Sequence, residues 1–304
     1  ARFPHFLHAE WGGDSHVGRH TERTDLETVN AGDRNGDWSE TYMVRLFDWT
    51  LKEQQTIPNL TGTAFWTFKD FSTPLRPTNP IPYVNQKGVV ERDGTPKESY
   101  YVFQSYWSPR PMIHIFGHSV PTRWGKPDEK KEILVYSNCK NVELFVNGES
   151  QGLRKRQVED YPAAGLHWNV NLQEGRNEIK AVGDNKLVDL IYQDYQTASW
   201  DVPDHVSLKA YPLEEDLLMV EAQVEDANGL KCLDNSEFVH FAVVGDATLV
   251  ENLGTSTGSR VIQTSNGRAR IMVRMKSKVK QYGKAILSAS MKSVPTAYIT
   301  LSKN

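Results

Sequence analysis

The chain has 304 residues, 38% of them hydrophobic and 10% aromatic, which exceeds one ordinary core and fits two or three domains. Its 35 Lys and Arg against 38 Asp and Glu give a formal charge of −3, so no broad basic surface is available to neutralise phosphates or anionic lipid, and nucleic acid is not an expected partner. Mean hydropathy is −0.55, and no apolar run approaches the roughly 20 residues that span a bilayer, so no membrane span is expected.

Residues 1 to about 108 read as strand, loop, helix, strand, loop, helix. "FPHFLHAE" is nearly continuous in apolar character, which predicts a strand buried on both faces. It runs into "WGGDSHVGRH", where Glu10 is followed by a tryptophan, two glycines and a burst of polar groups. In "DWSETYMVRLFDWTLKEQQ", Asp37 and Glu40 stand in capping positions, and Tyr42, Met43, Leu46, Phe47 and Thr50 share one predicted face. "LTGTAFWTF" reads as a second buried strand, with Phe65 and Phe68 turned to the core. The prolines of "STPLRPTNPIPYVNQKG" exclude helix and ladder there, and "TPKESYYVFQSYW" reads as a helix with Pro96 at its start.

From about 111 the pattern changes to alternation. "NVELFVNG" sets Val142, Leu144 and Val146 on one face and ends in Asn147-Gly148, a hairpin signal. "KEILVYSN", "GLHWNVNL", "GRNEIKAVG" and "LVDLIYQDYQ" continue it at the spacing of a β-sandwich. The pattern pauses around "TASWDVPD", a linker near 197 to 204, and resumes in "HVSLKAYP", "LLMVEAQVEDANG", "EFVHFAVVG", "RARIMVRM", "KAILSASM" and "TAYITL" as a second sandwich. Cys139 and Cys232 fall in different modules, so both are expected to be unpaired core or edge residues. The opening "ARFPHFLHAEWGG" lacks the basic start and long apolar stretch of a secretory signal.

Two strand-helix units with polar residues at the strands' C-terminal ends are what the last quarter of a (β/α)8 barrel looks like. "HAEWGGDSHVGRH", "GTAFWTFKDF" and "VNQKGVVERDGTPKESYYVFQSYW", in that order, resemble the end of the catalytic barrel in family 2 glycoside hydrolases, which include β-galactosidases and β-glucuronidases. "VYSNCKNVELFVNGESQG" resembles the module that follows the barrel in many bacterial members, and the last hundred residues resemble their Ig-like C-terminal domain. The resemblance therefore implies residues 1–108 as the C-terminal portion of a catalytic barrel, 109–198 as a β-sandwich and 199–304 as an immunoglobulin-like sandwich. It also implies a periplasmic or extracellular bacterial protein, with sandwiches that brace loops or homo-oligomer contacts.

Retaining glycosidases use two carboxyl groups about 5 to 5.5 Å apart, one as nucleophile and one as acid/base. Glu10 matches the family's nucleophile at a strand end, where Gly12 and Gly13 allow close approach. Trp66 matches a tryptophan wall of the sugar subsite, and Trp11, Asp14 and His16 are placed beside it as substrate-binding residues. Asn85 and Lys87 match an Asn-x-Lys pattern that contacts the sugar carboxylate in β-glucuronidases. The arginine those enzymes carry four residues before the asparagine is Ile81 here, with only Arg76 nearby. The resulting expectation is a retaining exo-hydrolase of a terminal β-galactoside, needing no cofactor or metal. Its acid/base would come from the N-terminal remainder of the barrel, so this chain alone is expected to be inactive. A β-glucuronidase, or a non-catalytic carbohydrate-binding or spacer fragment with Trp124, Trp168 and Trp200 as candidate contacts, are the alternatives.

Three weaker signals stand outside this reading. "GTSTG" at 254 to 258 fits a nucleophile elbow around Ser256 but has no helix pattern after it. His16 and His20 stand at the i, i+4 spacing of zinc sites without a third ligand. Asn59-Leu60-Thr61 is a glycosylation triplet that matters only in a eukaryotic secretory host.

Overall fold

The computed structural model describes residues 5–22, 38–250, 260–278 and 281–302, and it is mostly β with few helices. Asp37 and the "GTSTG" stretch lie outside the described residues. The chain divides into two compact units, Ala1–Asp70 with Gln86–Thr197, and Phe71–Asn85 with Ala198–Asn304.

In the first unit, β1 (Phe6–Trp11) pairs in parallel with β2 (Leu60–Phe65), and α1 (Glu40–Gln55) lies between them in sequence. Parallel neighbours need such a crossover. Ser39 is the N-cap of α1, its hydroxyl accepting from the Tyr42 amide at 3.1 Å. The buried stripe of α1 is Met43, Val44, Phe47 and Leu51, rotated from the predicted Tyr42, Met43, Leu46, Phe47 and Thr50. The rotation has a polar cause. Asp48 is buried on the same side, accepting from the Tyr106 hydroxyl at 2.6 Å and from the Ala163 amide.

The chain continues through β3 (Phe71–Ser72) and β4 (Val84–Asn85), which form a two-residue antiparallel ladder in the second unit and flank the prolines. It then returns to the first unit as α2 (Glu98–Trp107). The helix begins at Glu98 with Lys97 at the N-cap, so Pro96 stands before the helix and bridges Val90 instead of opening the first turn.

The expectation of two strands buried on both faces is corrected. Leu7 is 62% exposed and Phe6 is exposed as well. Burial of a parallel strand requires a layer on each side, and among the described residues only one flank is covered, by Met43, Val44, Phe47, Val102 and Phe103 of the two helices. Phe65 joins that core, whereas Phe68, expected there too, is 64% exposed.

The first sandwich comprises β5 (Ile113–Ile115), β6 (Thr122–Trp124), β7 (Lys131–Ser137), β8 (Asn141–Val146), β9 (Glu149–Lys155), β10 (His167–Val170), β11 (Gly175–Gly183) and β12 (Val188–Gln196). Its sheets have the orders β10-β7-β5 and β6-β12-β11-β8-β9. Val142, Leu144 and Val146 all point into the core, as alternation requires. Asn147 and Gly148 both take positive φ, at 51° and 83°, the two-residue hairpin geometry that matches strand twist.

The second sandwich comprises β13 (Pro203–Pro212), β14 (Leu217–Asp226), β15 (Phe238–Gly245), β16 (Ala247–Leu249), β17 (Val261–Gln263), β18 (Arg268–Met275), β21 (Lys284–Ser290) and β22 (Ala297–Ser302), with the short ribbon β19 (Ser277–Lys278) and β20 (Gln281–Tyr282) between. Its sheets have the orders β13-β14-β18-β16 and β17-β15-β21-β22. The proline-rich segment is built into this unit: Gln263 donates its amide to the Pro80 carbonyl at 2.7 Å, and Ile81 packs on the sandwich core. Cys139 and Cys232 are free and buried in separate cores.

Candidate active site

Three backbone segments meet where β1 and β2 end. Trp66 donates its amide to the Trp11 carbonyl at 2.9 Å, and Thr67 donates to the Lys87 carbonyl at 3.3 Å. Glu10, Trp66 and Lys87 are thereby brought to one end of the parallel pair. The strand pairing becomes irregular between His8 and Trp11, which is where Glu10 leaves the ladder. Its carboxylate is 63% exposed, and the Lys87 ammonium approaches Oε1 to 3.9 Å. Trp66 is 47% exposed.

Gly12 shows why the sequence needs a glycine beside this carboxylate. Its φ is +145°, and a Cβ there would lie 2.6 Å from the Trp66 carbonyl oxygen and 2.8 Å from the Phe65 ring. Any side chain would push the Trp66 segment away from Glu10.

The other expected contacts have different surroundings. Trp11 is buried, with Phe47, Phe65 and Phe103 ring centroids 5.4, 5.4 and 5.7 Å away, so its faces are spent on the core and are closed to a sugar. His16 is buried and donates its amide to the Trp38 carbonyl at 2.9 Å. Asp14 is half-buried on the same loop. Asn85 is buried in the β3–β4 ladder of the second unit, opposite Phe71.

Most of the polar burst after Glu10 is structural. Gly18 donates to Glu40 Oε2 at 2.7 Å, and Ser119 donates to the same oxygen at 2.6 Å. Glu40 Oε1 accepts the Glu98 amide at 2.9 Å. Burial, and then the neighbouring Glu98, push the Glu40 carboxyl up to about 7. Glu98 in turn accepts from His114 Nε2 at 2.8 Å and from the Gly117 amide at 3.1 Å. This buried carboxylate pair joins α1 and α2 to the first sandwich, and sequence reading missed it because Glu40 looked like an exposed capping residue.

His20 pairs with Thr41 through Nδ1 at 2.7 Å and with Glu22 through Nε2 at 3.1 Å. Burial and then Arg123 lower the His20 pKa. Burial alone would raise Glu22, but Arg123 and its hydrogen bonds hold that carboxyl far below the usual range. His20 is thus engaged by Thr41 and Glu22, and His16 is buried on the same loop.

Among the described residues, His114, His118 and Asp189 bring potential metal-binding atoms within 4.8 Å of one another. The two imidazoles stack at 4.6 Å with planes only 16° apart. In-plane lone pairs of parallel rings do not converge on one ion. The hydrogen bond that His118 Nε2 donates to Asp189 Oδ2, 2.8 Å away, raises the His118 pKa. An ion-pair and stacking network accounts for this cluster.

A family model described as a domain of unknown function, DUF4982, matches residues 128–189, within the first sandwich. A putative β-glucuronidase of Formosa agariphila is 44% identical over 296 residues, covering 91% of this chain and 36% of the relative. The β-galactosidase BoGH2A of Bacteroides ovatus is 28% identical over 207 residues, 66% of this chain and 23% of the relative. The crystal structure of a Parabacteroides merdae β-glucuronidase superposes with a TM-score of 0.90 at 52% identity, covering 98% of this chain and 40% of that one. The chain therefore spans well under half the length of these relatives. Its relatives are family 2 glycoside hydrolases. Within that family it corresponds to a C-terminal part of proteins of the β-glucuronidase and β-galactosidase kind.

Proposed function

We propose that this chain supplies the nucleophile half of a retaining exo-β-glycosidase, with Glu10 attacking the anomeric carbon of a terminal sugar and Trp66 forming a wall against it. In this reading residues 1–108 end a (β/α)8 barrel, and the modules at 109–198 and 199–304, the latter immunoglobulin-like, brace it. The remainder of the barrel covers the exposed face of β1 and β2 and contributes the acid/base. The observation that carries the proposal is the meeting of Glu10, Trp66 and Lys87 at one end of a parallel strand pair, with the Glu10 carboxylate open to a ligand.

A β-glucuronide replaces the β-galactoside as the preferred substrate. The relatives at 44% and 52% identity are named β-glucuronidases, whereas the named β-galactosidase is 28% identical. An ammonium 3.9 Å from the nucleophile is also a fitting partner for a uronate carboxylate. Ile81, which stands where glucuronidases carry an arginine, is packed on the second sandwich core, so Lys87 would bear the recognition.

The test is turnover of aryl β-glucuronide and aryl β-galactoside by the longer protein containing this chain. Glucuronide turnover should exceed galactoside turnover, and Glu10→Gln should abolish both while leaving the melting temperature in place. Activity persisting in Glu10→Gln removes the residue from its role.

A further inference from the structure

Lys97 is an unusual residue to find with 1% of its surface exposed. It stands at the N-cap of α2, yet its side chain makes no capping bond and runs inward. A buried ammonium is tolerated only when its three protons find acceptors. All three do, at Ser15 O (3.0 Å), Gln86 O (2.9 Å) and Asp70 Oδ1 (3.0 Å).

These acceptors lie on the three segments that carry the candidate site residues. Ser15 lies on the loop that follows Glu10, Asp70 lies beyond Trp66, and Gln86 immediately precedes Lys87. The pinning of Lys87 is two-sided. Gln86 O on one flank accepts from Lys97 and also from the Ser15 amide at 3.2 Å, while the Gly88 amide on the other flank donates to Asp70 Oδ1 at 2.8 Å. Gly88 admits no side chain, since a Cβ would lie 2.3 Å from the Asp70 amide nitrogen. Both flanks of Lys87 are therefore tied to one buried ion pair, alongside the backbone bonds from Ser15 to Gln86 O and from Thr67 to Lys87 O, and the ammonium of Lys87 is what reaches Glu10.

We propose that Lys97, paired with Asp70, is the positioning residue that sets the separation between Glu10 and Lys87, and through it the preference for a sugar bearing a carboxylate. The specificity half of this inference rests on the glucuronide reading above; the positioning half does not. Lys97 touches no substrate. It acts through Lys87.

The experiment uses Lys97→Met and the charge-neutral pair Lys97→Met/Asp70→Asn, the second keeping an acceptor for Gly88 should the single variant fail to fold. In this chain, backbone hydrogen exchange at Ser15, Lys87 and Gly88 is measured against the sandwich strands. Exchange at the three positions should accelerate at least tenfold while β8, β11 and β14 stay protected. In the longer protein, the ratio of kcat/KM for aryl β-glucuronide to that for aryl β-galactoside should fall at least tenfold. A merely structural role would lower both substrates together. Unchanged exchange at Ser15 and Gly88 in the folded double variant overturns the positioning role. Accelerated exchange with an unchanged substrate ratio overturns the link to specificity. If Lys87→Met also leaves that ratio unchanged, the glucuronide reading fails, while the exchange result still decides the role of Lys97.

Discussion

Replacing Glu40 with glutamine should flatten the pH dependence of stability of the first unit. In the folded chain burial and the adjacent Glu98 push the Glu40 carboxyl up to about 7, against an ordinary value of 4.5. A raised carboxyl means that the folded state holds this proton more tightly than the unfolded state does. Its contribution is therefore complete below about pH 4.5 and is lost progressively as pH rises through 7. The gap corresponds to about 3 kcal/mol. Glu40→Gln carries its own cost of about 1 to 3 kcal/mol, because an amide nitrogen replaces one of the two oxygens that accept from Gly18, Ser119 and the Glu98 amide. That cost should be constant with pH. The assay is urea unfolding at pH 5, 6, 7 and 8 followed by tryptophan fluorescence, which reports the first unit because every tryptophan except Trp200 lies in it. The wild-type chain should become less stable relative to Glu40→Gln by about 2.5 kcal/mol between pH 5 and pH 8. A difference between the two that does not change with pH would refute the account of a carboxyl raised by burial.

Two further outcomes follow from packing. Gly12→Ala should lower stability by about 2 to 4 kcal/mol through the left-handed backbone and the clash with Trp66, read as a drop in melting temperature; an unchanged melt would mean that the Trp66 segment yields freely. Trp168→Ala should cost about 3 to 5 kcal/mol, because Trp168 is buried in the first sandwich and donates to Gly152 O at 3.0 Å. A folded Trp168→Ala chain with reduced polysaccharide binding would instead favour the carbohydrate-contact role considered from sequence.

Periodicity made the secondary structure legible. The alternation at Val142, Leu144 and Val146, the turn at Asn147-Gly148 and both helices of the first unit appear where the apolar spacing puts them. Motif order carried the relationship to family 2 glycoside hydrolases, and the strand end bearing Glu10 came with it. What pattern could not reveal was the environment created by distant segments. Trp11 and Trp66 are both tryptophans near a strand end, yet one is wrapped by Phe47, Phe65 and Phe103 and the other is open. Glu40, read as a capping residue, and Lys97, which no sequence pattern singles out, are both buried because partners from other segments satisfy them. Phe6, Leu7 and Phe68 erred in the opposite direction, since an apolar run announces a need for cover without supplying it.

The excursion of Phe71–Asn85 constrains anyone who would dissect this protein. A peptide cut after Thr197 would retain that loop but lose the sheet whose Gln263 amide it meets, leaving Ile81 and the Pro80 carbonyl stranded in solvent. The C-terminal piece alone would lack the loop's contribution to its own core. Excision should therefore yield sticky or poorly folded products from either side of the cut, and a clean separation would require grafting the loop across with its sandwich.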